Sequence, residues 1–375
     1  MIRIILSGGG TGGHIYPAIT IAKELEQLEK VEILFVGTPE SMESKLVPKE
    51  GYAFQELPVS GLKRQLTLEN IKILCKAAAG MWKAKMILKR FKPDVVIGTG
   101  GYVCGPIVMT AALSGIPTMI QEQNVIPGIT NKILSRVVDR VALGYKEGKL
   151  KFPRPDKCVY TGNPIRPDII SAQRAESRKK LHIPPDDFMV LIAGGSRGAR
   201  AINHAMIDVH THFKDTPSIC LYHVTGPLEY ESVKNGLSAS DGGCYGMGSR
   251  LIKYEYNMPA ALAAADLVIY RAGAIGLAEL AARGLPSILI PYPYAAEDHQ
   301  TFNARVFVAA GASKLIVDRF LTGSELIQDI ENLSKNPDTL ESMSIAAKKL
   351  GKLHAGRDIA LMALEIAKKG KKYGS

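Results

Sequence analysis

Two glycine-rich turns, at residues 8–13 and 194–198, lie half a chain apart in this sequence. Each turn follows a short apolar run, at residues 2–6 or 189–193, and leads into a helical pattern. Such runs are typical of buried parallel strands, and the glycines let backbone N–H groups and a helix N-terminus face an anion. The two turns therefore predict two similar α/β halves that bind a phosphate-bearing ligand in a cleft between the domains.

Length and composition agree with two domains. A chain of 375 residues that is 46% hydrophobic can bury two ordinary cores. The cysteines are scattered and form no Cys-x-x-Cys pair, which argues against a disulfide framework and a zinc site and favours a reducing compartment. The long uncharged run at residues 95–121 is interrupted by glycine and proline, which indicates strand, loop and short helix rather than a membrane span.

Strand and helix patterns alternate along both halves, over residues 2–162 and again over residues 188–291. This order predicts an α/β chain of two Rossmann-like, doubly wound domains that face an interdomain cleft. The predicted hinge is the segment at residues 162–167, where two prolines stiffen the turn. We predict an N-terminal domain at residues 1–163, a C-terminal ligand-binding domain at 164–345, and a C-terminal helix at 346–375 that packs back on the N-terminal domain.

The predicted helix at residues 71–91 has two apolar sides at helical spacing. One side is sufficient for the core of its own domain, so the second must meet another apolar surface. This second side includes Ile71, Leu74, Met81 and Trp82, and lysines border it. Together with the net charge of +11, it predicts contact with a bilayer surface of anionic lipids, and we expect no nucleic-acid partner. Burial of both sides between neighbouring elements is the alternative.

The first glycine-rich turn matches Gly-x-Gly-x-x-Gly, which alone is a weak signal for a dinucleotide. The second predicted strand ends in Gly37 and Thr38, without the carboxylate that would hold the ribose of a nicotinamide cofactor, so an oxidoreductase is disfavoured. His14 begins the following helix, where the helix dipole favours a neutral imidazole that can accept a proton from a hydroxyl. A histidine that only caps or packs at the helix start is the alternative.

A second set of polar residues follows predicted strands of the C-terminal half. Small residues at 272–276 allow backbone amides to approach a diphosphate, and Glu279 can accept both hydroxyls of a ribose through its two carboxylate oxygens. A solvated helix carboxylate is the alternative for Glu279. The segment at residues 297–304 places amides and an imidazole after a strand, as the hydroxyls of a sugar require.

Spaced motifs extend over nearly the whole chain: Gly-Gly-Thr-Gly-Gly-His at 9–14, Gly-Gly-Tyr-Val-x-Gly-Pro at 100–106, Glu-Gln-Asn-x-x-Pro-Gly at 122–128, Gly-Asn-Pro-x-Arg at 162–166, Gly-Gly-Ser-x-Gly-Ala at 194–199, Arg-x-Gly-Ala at 271–274, and Asp-His-Gln-x-x-Asn-Ala at 298–304. In this order they resemble the MurG family of peptidoglycan N-acetylglucosamine transferases. The resemblance implies a GT-B fold and an inverting transfer of N-acetylglucosamine from UDP-N-acetylglucosamine. The implied acceptor is the muramyl 4-hydroxyl of undecaprenyl-pyrophosphoryl-N-acetylmuramoyl-pentapeptide (lipid I), which becomes lipid II.

The resemblance also implies a role for each residue at a matching position. The donor diphosphate would be bound by Ser196, Arg166 and the amides of Ala274, Ile275 and Gly276. Glu279 would bind the ribose, and the backbone at Glu255 the uracil. The donor sugar and the reacting centre would be contacted by Gln300, His299 and Asn124. The cleft would be lined by Thr11, Gly12 and Gly13, with His14 as the candidate base.

The implied setting is peripheral, at the cytoplasmic face of the cell membrane, beside a lipid-borne acceptor and anionic inner-leaflet lipids. Three positions depart from the family pattern: Arg197 replaces a frequent glutamine, Gly276 a frequent threonine whose hydroxyl can reach phosphate, and Gln121 a frequent histidine. We therefore assign no proton transfer to Gln121. The chain has no Asp-x-Asp pair, so we expect no required cofactor; a divalent metal is compatible, but no ligand set for one is visible.

Two alternatives share the predicted donor site. A UDP-N-acetylglucosamine epimerase of the same fold would convert the donor without an acceptor. A nucleotide-sugar-binding or membrane-adaptor protein would bind UDP without catalysis. Product analysis with the donor alone separates the epimerase from the transferase, and transfer to a polyprenyl acceptor separates an enzyme from a binding protein.

Overall fold

The computed structural model describes residues 1–59, 69–195, 198–241 and 248–373, without the side chains of 69–78, 239–241 and 371–373. The chain forms two compact units. The N-terminal unit comprises Met1–Ile165 and Lys352–Ser375, and the C-terminal unit comprises Arg166–Gly351. Each unit is an α/β domain with its own sheet.

The strands of the N-terminal unit are β1 (Ile2–Gly8), β2 (Val31–Gly37), β3 (Ala53–Glu56), β4 (Val95–Gly100), β5 (Thr118–Glu122), β6 (Arg140–Leu143) and β7 (Cys158–Tyr160). The strands of the C-terminal unit are β8 (Phe188–Ala193), β9 (Ile219–Val224), β10 (Arg250–Ile252), β11 (Leu267–Tyr270), β12 (Ser287–Leu289) and β13 (Ser313–Leu315). Over the described parts of the chain, the sheet orders are β3-β2-β1-β4-β5-β6-β7 and β10-β9-β8-β11-β12-β13. Neighbouring strands are parallel, as in the pairing of Ile4 with Ile33 and of Val190 with Leu221.

The α-helices, in chain order, are α1 (Gly12–Leu28), α2 (Met42–Lys49), α3 (Glu69–Phe91), α4 (Cys104–Leu113), α5 (Ile129–Leu134), α6 (Pro167–Ser171), α7 (Arg174–Leu181), α8 (Arg200–His212), α9 (Tyr230–Asp241), α10 (Met258–Ala264), α11 (Ala274–Arg283), α12 (His299–Ala309), α13 (Gly323–Ser334), α14 (Pro337–Leu350) and α15 (Ala355–Tyr373). Inner strands such as β4 and β9 are buried along their length, whereas the edge strand β3 is largely exposed. None of the helices in the described ranges is long and apolar enough to cross a membrane.

The strand order reverses between β1 and β4 in the first sheet and between β8 and β11 in the second. In open α/β sheets, ligands bind beyond the carboxyl ends of the strands on either side of such a reversal. The turn at residues 8–13 follows β1 and the turn at 194–198 follows β8. Gly9 and Gly10 of the first turn, and Gly194 and Gly195 of the second, therefore lie at the expected ligand-binding edges of their sheets.

The unit boundaries differ slightly from the predicted ones. The first lies after Ile165 rather than after residue 163, and Ile165 itself is buried. The second lies after Gly351 rather than after residue 345, because α14 continues to Leu350 and packs on α11. Helix α15 then returns to the N-terminal unit and shares a core with α1, in which Ile359 packs near Ile15.

Candidate functional site

The candidate base His14 lies in the first turn of α1, directly after the glycine-rich turn. Its ring Nδ1 lies 3.0 Å from the Thr99 carbonyl oxygen and 3.2 Å from Gln123 Oε1. Both partner atoms are acceptors, so Nδ1 carries the proton in the neutral ring and the lone pair is on Nε2. A ring held in this tautomer can accept a proton at Nε2.

The end of β4 provides the space for the His14 ring. A Cβ at Gly100 would lie 2.5 Å from His14 Nδ1, and Gly100 has a φ of +110°, so a side chain is excluded at this position. Thr99 Oγ1 also donates to the His14 carbonyl oxygen at 2.7 Å. Thr11 precedes α1 in extended conformation, and Gly12 and Gly13 begin the helix. The predicted residues 11–14 are thus contiguous at the carboxyl edge of the sheet.

A buried carboxylate that the sequence did not reveal occupies part of this turn. Glu43 Oε2 accepts from the Gly10 N–H at 3.1 Å, and Oε1 accepts from the Thr38 N–H at 3.2 Å and from Thr38 Oγ1 at 2.6 Å. Burial raises the pKa of Glu43, but these hydrogen bonds outweigh burial and hold the pKa below its usual value. The prediction that the turn offers its amides to an external anion is therefore wrong at Gly10.

Asn124 follows β5, in a loop that another buried carboxylate organises. Glu122 Oε1 accepts from the Asn124 N–H at 3.0 Å and from Asn124 Nδ2 at 3.2 Å. The other oxygen, Oε2, accepts from the Gly128 N–H at 3.1 Å and from Asn131 Nδ2 at 2.9 Å. These bonds define the position of Asn124 within the N-terminal unit.

The residues predicted to face a membrane belong to α3. Trp82 is 64% exposed, whereas Met81 is only partly exposed. The side chains of Ile71 and Leu74 lie outside the described residues. Ala84 and Leu88 of the same helix are buried in the core of the N-terminal unit. The alternative in which both sides of the helix are buried is therefore wrong at Trp82.

In the C-terminal unit, Glu279 lies on α11 and is only 7% exposed, so the alternative of a solvated helix carboxylate is wrong. Arg166 Nε donates to Glu279 Oε1 at 3.3 Å. Burial raises the pKa of Glu279, and the positive charge of Arg166 opposes this rise. The resemblance gave these two residues the diphosphate and the ribose, which are adjacent groups of one nucleotide, and their contact is compatible with both roles.

Ala274, Ile275 and Gly276 form the first turn of α11, whose backbone N–H groups are suited to an anion. A Cβ at Gly276 would lie 2.6 Å from Cε1 of Tyr270, the last residue of β11. The aromatic ring therefore takes the space that a side chain at position 276 would need. Burial raises the pKa of the Tyr270 hydroxyl, and the negative charge of Glu279 raises it further.

Gln300 joins two loops at the carboxyl edge of the C-terminal sheet. Its Oε1 accepts from the Ala272 N–H at 3.1 Å and from the Tyr292 N–H at 2.9 Å. With this oxygen engaged by the backbone, a contact from Gln300 to a sugar hydroxyl would come from Nε2.

His299 begins α12, and its Nδ1 lies 2.7 Å from the Ala296 carbonyl oxygen. Nδ1 therefore carries the proton and Nε2 the lone pair. The two preceding residues, Glu297 and Asp298, have φ values of +53° and +50°. Residues other than glycine rarely adopt this conformation, and it is concentrated at functional loops.

The remaining predicted donor contacts are partly described. The Glu255 carboxylate accepts from the Tyr222 hydroxyl and, at 2.5 Å, from the Asn257 N–H. The side chain therefore orders its own loop, which leaves the backbone of Glu255 for a contact with a nucleobase. Ser196 and Arg197 lie outside the described residues.

A chain of buried polar side chains in the C-terminal unit had no signal in the sequence. His210 Nε2 lies 3.3 Å from His223 Nδ1, His223 Nε2 lies 3.0 Å from Asn203 Oδ1, and Asn203 Nδ2 donates to the Thr225 carbonyl oxygen at 2.9 Å. Burial lowers the pKa of His210 to about 4, so the pair is neutral near pH 7. Within the described ranges, no group of three or more His, Cys, Asp or Glu side chains could hold a metal ion.

Comparisons with known proteins agree with the sequence motifs. The family models described as the N-terminal and C-terminal domains of glycosyltransferase family 28 match residues 4–143 and 189–359. A protein of Desulforamulus reducens is 47% identical over 360 residues, which are 96% of this chain and 97% of that protein. It is named UDP-N-acetylglucosamine--N-acetylmuramyl-(pentapeptide) pyrophosphoryl-undecaprenol N-acetylglucosamine transferase.

Solved structures give the same result. The crystal structure of Acinetobacter baumannii MurG is similar with a TM-score of 0.78 and 27% identity, over 97% of this chain and 100% of that one. A UDP-GlcNAc 2-epimerase from Neisseria meningitidis, bound to UDP-GlcNAc, has a TM-score of 0.64 over 97% of this chain and 100% of that one. At 16% identity, the epimerase shares the fold alone. The chain belongs to the MurG family of N-acetylglucosamine transferases, within glycosyltransferase family 28.

Proposed function

We propose that this protein transfers N-acetylglucosamine from UDP-N-acetylglucosamine to the muramyl 4-hydroxyl of undecaprenyl-pyrophosphoryl-N-acetylmuramoyl-pentapeptide, with inversion at the anomeric carbon. Both substrates are those in the name of the Desulforamulus reducens relative. The observation that carries the proposal is the His14 ring, whose Nδ1 faces two acceptors so that Nε2 has the lone pair. A transferase needs such a base for its acceptor hydroxyl.

The reaction is a single displacement. The acceptor oxygen forms a bond to the anomeric carbon and its proton moves to His14 Nε2, while the bond from the anomeric carbon to the diphosphate oxygen breaks and UDP leaves with the electron pair. Arg166 and the N-terminal turn of α11 stabilise the negative charge that develops on the diphosphate. The Glu279 carboxylate accepts hydrogen bonds from the ribose hydroxyls, and the backbone at Glu255 contacts the uracil. The sugar is contacted by Gln300 Nε2, His299 and Asn124.

The experiment that tests this function compares the donor alone with the donor plus the lipid acceptor. We expect UDP release only with the acceptor, and a disaccharide-bearing lipid as the product. Conversion of the donor alone to its 2-epimer would support the epimerase instead. Tight UDP binding without transfer to any polyprenyl acceptor would support a binding protein.

The His14→Ala variant tests the base. General base catalysis contributes about 100-fold or more, so we expect turnover to fall by that factor. UDP affinity, measured by calorimetry, remains unchanged because His14 is not in the C-terminal unit. Unchanged turnover would show that His14 is not the base.

We also propose that no cofactor is required. Activity that EDTA abolishes and one divalent ion restores would contradict this.

We propose that the protein acts peripherally at the cytoplasmic face of the membrane, where the lipid acceptor resides. Trp82 is exposed on α3, and Lys83 and Lys85 of the same helix are also exposed, which suits an anionic surface. Replacing Met81 and Trp82 by glutamate should release the protein from anionic vesicles at a salt concentration that retains the wild type. Retention of the variant would argue against this membrane face.

A further inference from the structure

Gln123 is held in one orientation behind the candidate base. Its Nε2 donates to the Thr99 carbonyl oxygen at 2.5 Å and also to Gln121 Oε1, so its oxygen is the atom that faces His14 Nδ1 at 3.2 Å. The reversed amide would place an oxygen against two other oxygens, which is unfavourable. The direction of the Gln123 amide is therefore set by its neighbours.

The network continues away from His14 through two further amides. Gln121 Nε2 donates to Asn163 Oδ1 at 2.9 Å, and Asn163 Nδ2 donates back to the Gln123 carbonyl oxygen at 3.0 Å. Gln121, Gln123 and Asn163 are all buried. Turning any one of these amides would leave a buried donor or acceptor unpaired, which costs about 1–3 kcal/mol, so the three amides support one arrangement.

We propose that Gln123, supported by Gln121 and Asn163, is a positioning residue that acts together with the Thr99 carbonyl oxygen to hold the His14 ring as the Nδ1–H tautomer. This inference rests on the proposed function. When the acceptor proton moves to Nε2, the new C–O bond forms and UDP departs, the imidazolium keeps its Nδ1–H between the Thr99 carbonyl oxygen and Gln123 Oε1. An acceptor at this position favours the charged ring, and therefore the proton transfer.

The ionisable groups nearest to this network do not substitute for Gln123. Glu43, from α2, has its carboxylate bonded to Gly10 and Thr38, and Glu122, next to Gln123, has its carboxylate bonded to its own loop. Burial raises the pKa of the Cys104 thiol, on α4, to about 11, and this thiol donates to the Ser7 carbonyl oxygen at 2.7 Å. The side-chain acceptor for His14 Nδ1 is thus a neutral amide.

The same network sets what the residue at position 121 must provide. The position must accept from Gln123 Nε2 and donate to Asn163 Oδ1. A neutral histidine has one accepting and one donating ring nitrogen, so it can make the same two bonds. The inference therefore predicts that Gln121→His preserves activity and Gln121→Met does not.

The test compares Gln123→Met and Gln121→Met with Gln121→His as the conservative variant and Gln55→Met, on exposed β3, as the control. We expect kcat to fall about tenfold in Gln123→Met, the worth of one hydrogen bond, while UDP affinity is unchanged. The acid limb of the kcat/KM profile should move to lower pH. Gln121→Met should lose less, and Gln121→His and Gln55→Met should match the wild type.

Nitrogen-15 NMR of the histidine rings provides a readout that does not depend on activity. With His14 assigned from the His14→Gln variant, we expect the neutral wild-type ring to be protonated at Nδ1. In Gln123→Met we expect a larger Nε2-protonated fraction, because Nδ1 then loses Gln123 Oε1 as an acceptor and keeps the Thr99 carbonyl oxygen. A wild-type ring protonated at Nε2, or a folded Gln123→Met variant with wild-type turnover and pH profile, would overturn the inference. If Gln123→Met does not fold, equal turnover of Gln121→Met and Gln121→His would overturn it. Absence of transfer by the wild type would instead refute the proposed function.

Discussion

Two buried carboxylates, Glu43 in the N-terminal unit and Glu279 in the C-terminal unit, are used in opposite ways. Glu43 accepts from Gly10 and Thr38, and its pKa is lowered although burial alone would raise it. Among the described residues, the Glu279 carboxylate is hydrogen-bonded to Arg166, and burial raises its pKa. A carboxylate that the fold saturates stabilises its own loop, whereas one with acceptor capacity left can bind the hydroxyls of a ligand.

The comparison also separates the carboxyl edges of the two sheets, for which the sequence predicted similar anion-binding loops. In the N-terminal unit, the Gly10 N–H is bonded to the protein's own anion, and the adjacent helix start holds the His14 ring. In the C-terminal unit, the start of α11 is the predicted diphosphate site, next to the ion pair of Arg166 and Glu279. In the proposed function, the first edge provides the base and the second binds the anionic nucleotide.

The largest expected effect is on stability. Glu43→Ala leaves the buried donors of Gly10 and Thr38 without their acceptor. We therefore expect the free energy of unfolding, measured in urea, to fall by about 3 kcal/mol. Glu50→Ala is the control, because Glu50 ends the same helix with an exposed ion pair to Lys23 that contributes about 1 kcal/mol or less. A Glu43→Ala protein of wild-type stability would break the comparison.

Glu279→Gln should affect the ligand rather than the fold. Loss of one charged acceptor for the ribose hydroxyls should weaken UDP binding about tenfold by calorimetry, with a change in stability of about 1 kcal/mol or less, because Arg166 is partly exposed and can be solvated. Glu176→Gln, an exposed helix carboxylate in the same unit, is the control. Equal UDP affinity of the variant and the wild type would show that the ribose assignment is wrong.

The raised pKa of Glu279 gives donor binding a pH dependence. The ionised Glu279 carboxylate accepts hydrogen bonds from the ribose hydroxyls. The affinity for the donor is therefore fully present above the pKa that Glu279 has in the ligand-free protein, and it is lost as the pH falls through that pKa. The loss begins at a higher pH than for an ordinary glutamate. UDP-N-acetylglucosamine is the probe, since its diphosphate is a diester without a titration near pH 6. Glu279→Gln should not show this loss of affinity at low pH. The same loss in both proteins would show that another group causes it.

The smallest effect concerns Tyr270 and Gly276. A threonine at 276 would place its Cβ 2.6 Å from the Tyr270 ring, so we expect Gly276→Thr to destabilise the protein by about 1 kcal/mol or more. Tyr270→Ala opens this space, and the double variant should recover part of the loss in a double-mutant cycle of urea unfolding. Additive effects would show that the ring does not occupy the position of the missing side chain.

Much of the fold could be predicted from local pattern. The apolar run at residues 2–6 is the larger part of β1, and the run at 189–193 is all of β8 except its first residue. His14 does lie at a helix start and Glu279 on the helix after β11. These positions could be predicted because helix starts and strand ends depend on the residue types within a few positions of them. The second unit boundary lies after Gly351, beyond the predicted residue 345, and the position of α14 depends on its packing against α11, which local pattern does not show.

The sequence by itself determined the alternation of strands and helices and the positions of the glycine turns, because these depend on neighbours a few residues apart. Only the tertiary structure decided which groups meet: Arg166 and Glu279 are 113 residues apart, and His14 and Gln123 are 109 apart. It also decided that Glu43 is saturated, since a helix glutamate looks the same in sequence whether water or three fixed donors surround it. Burial and hydrogen bonding set the charge of such groups, and both arise only when distant segments pack.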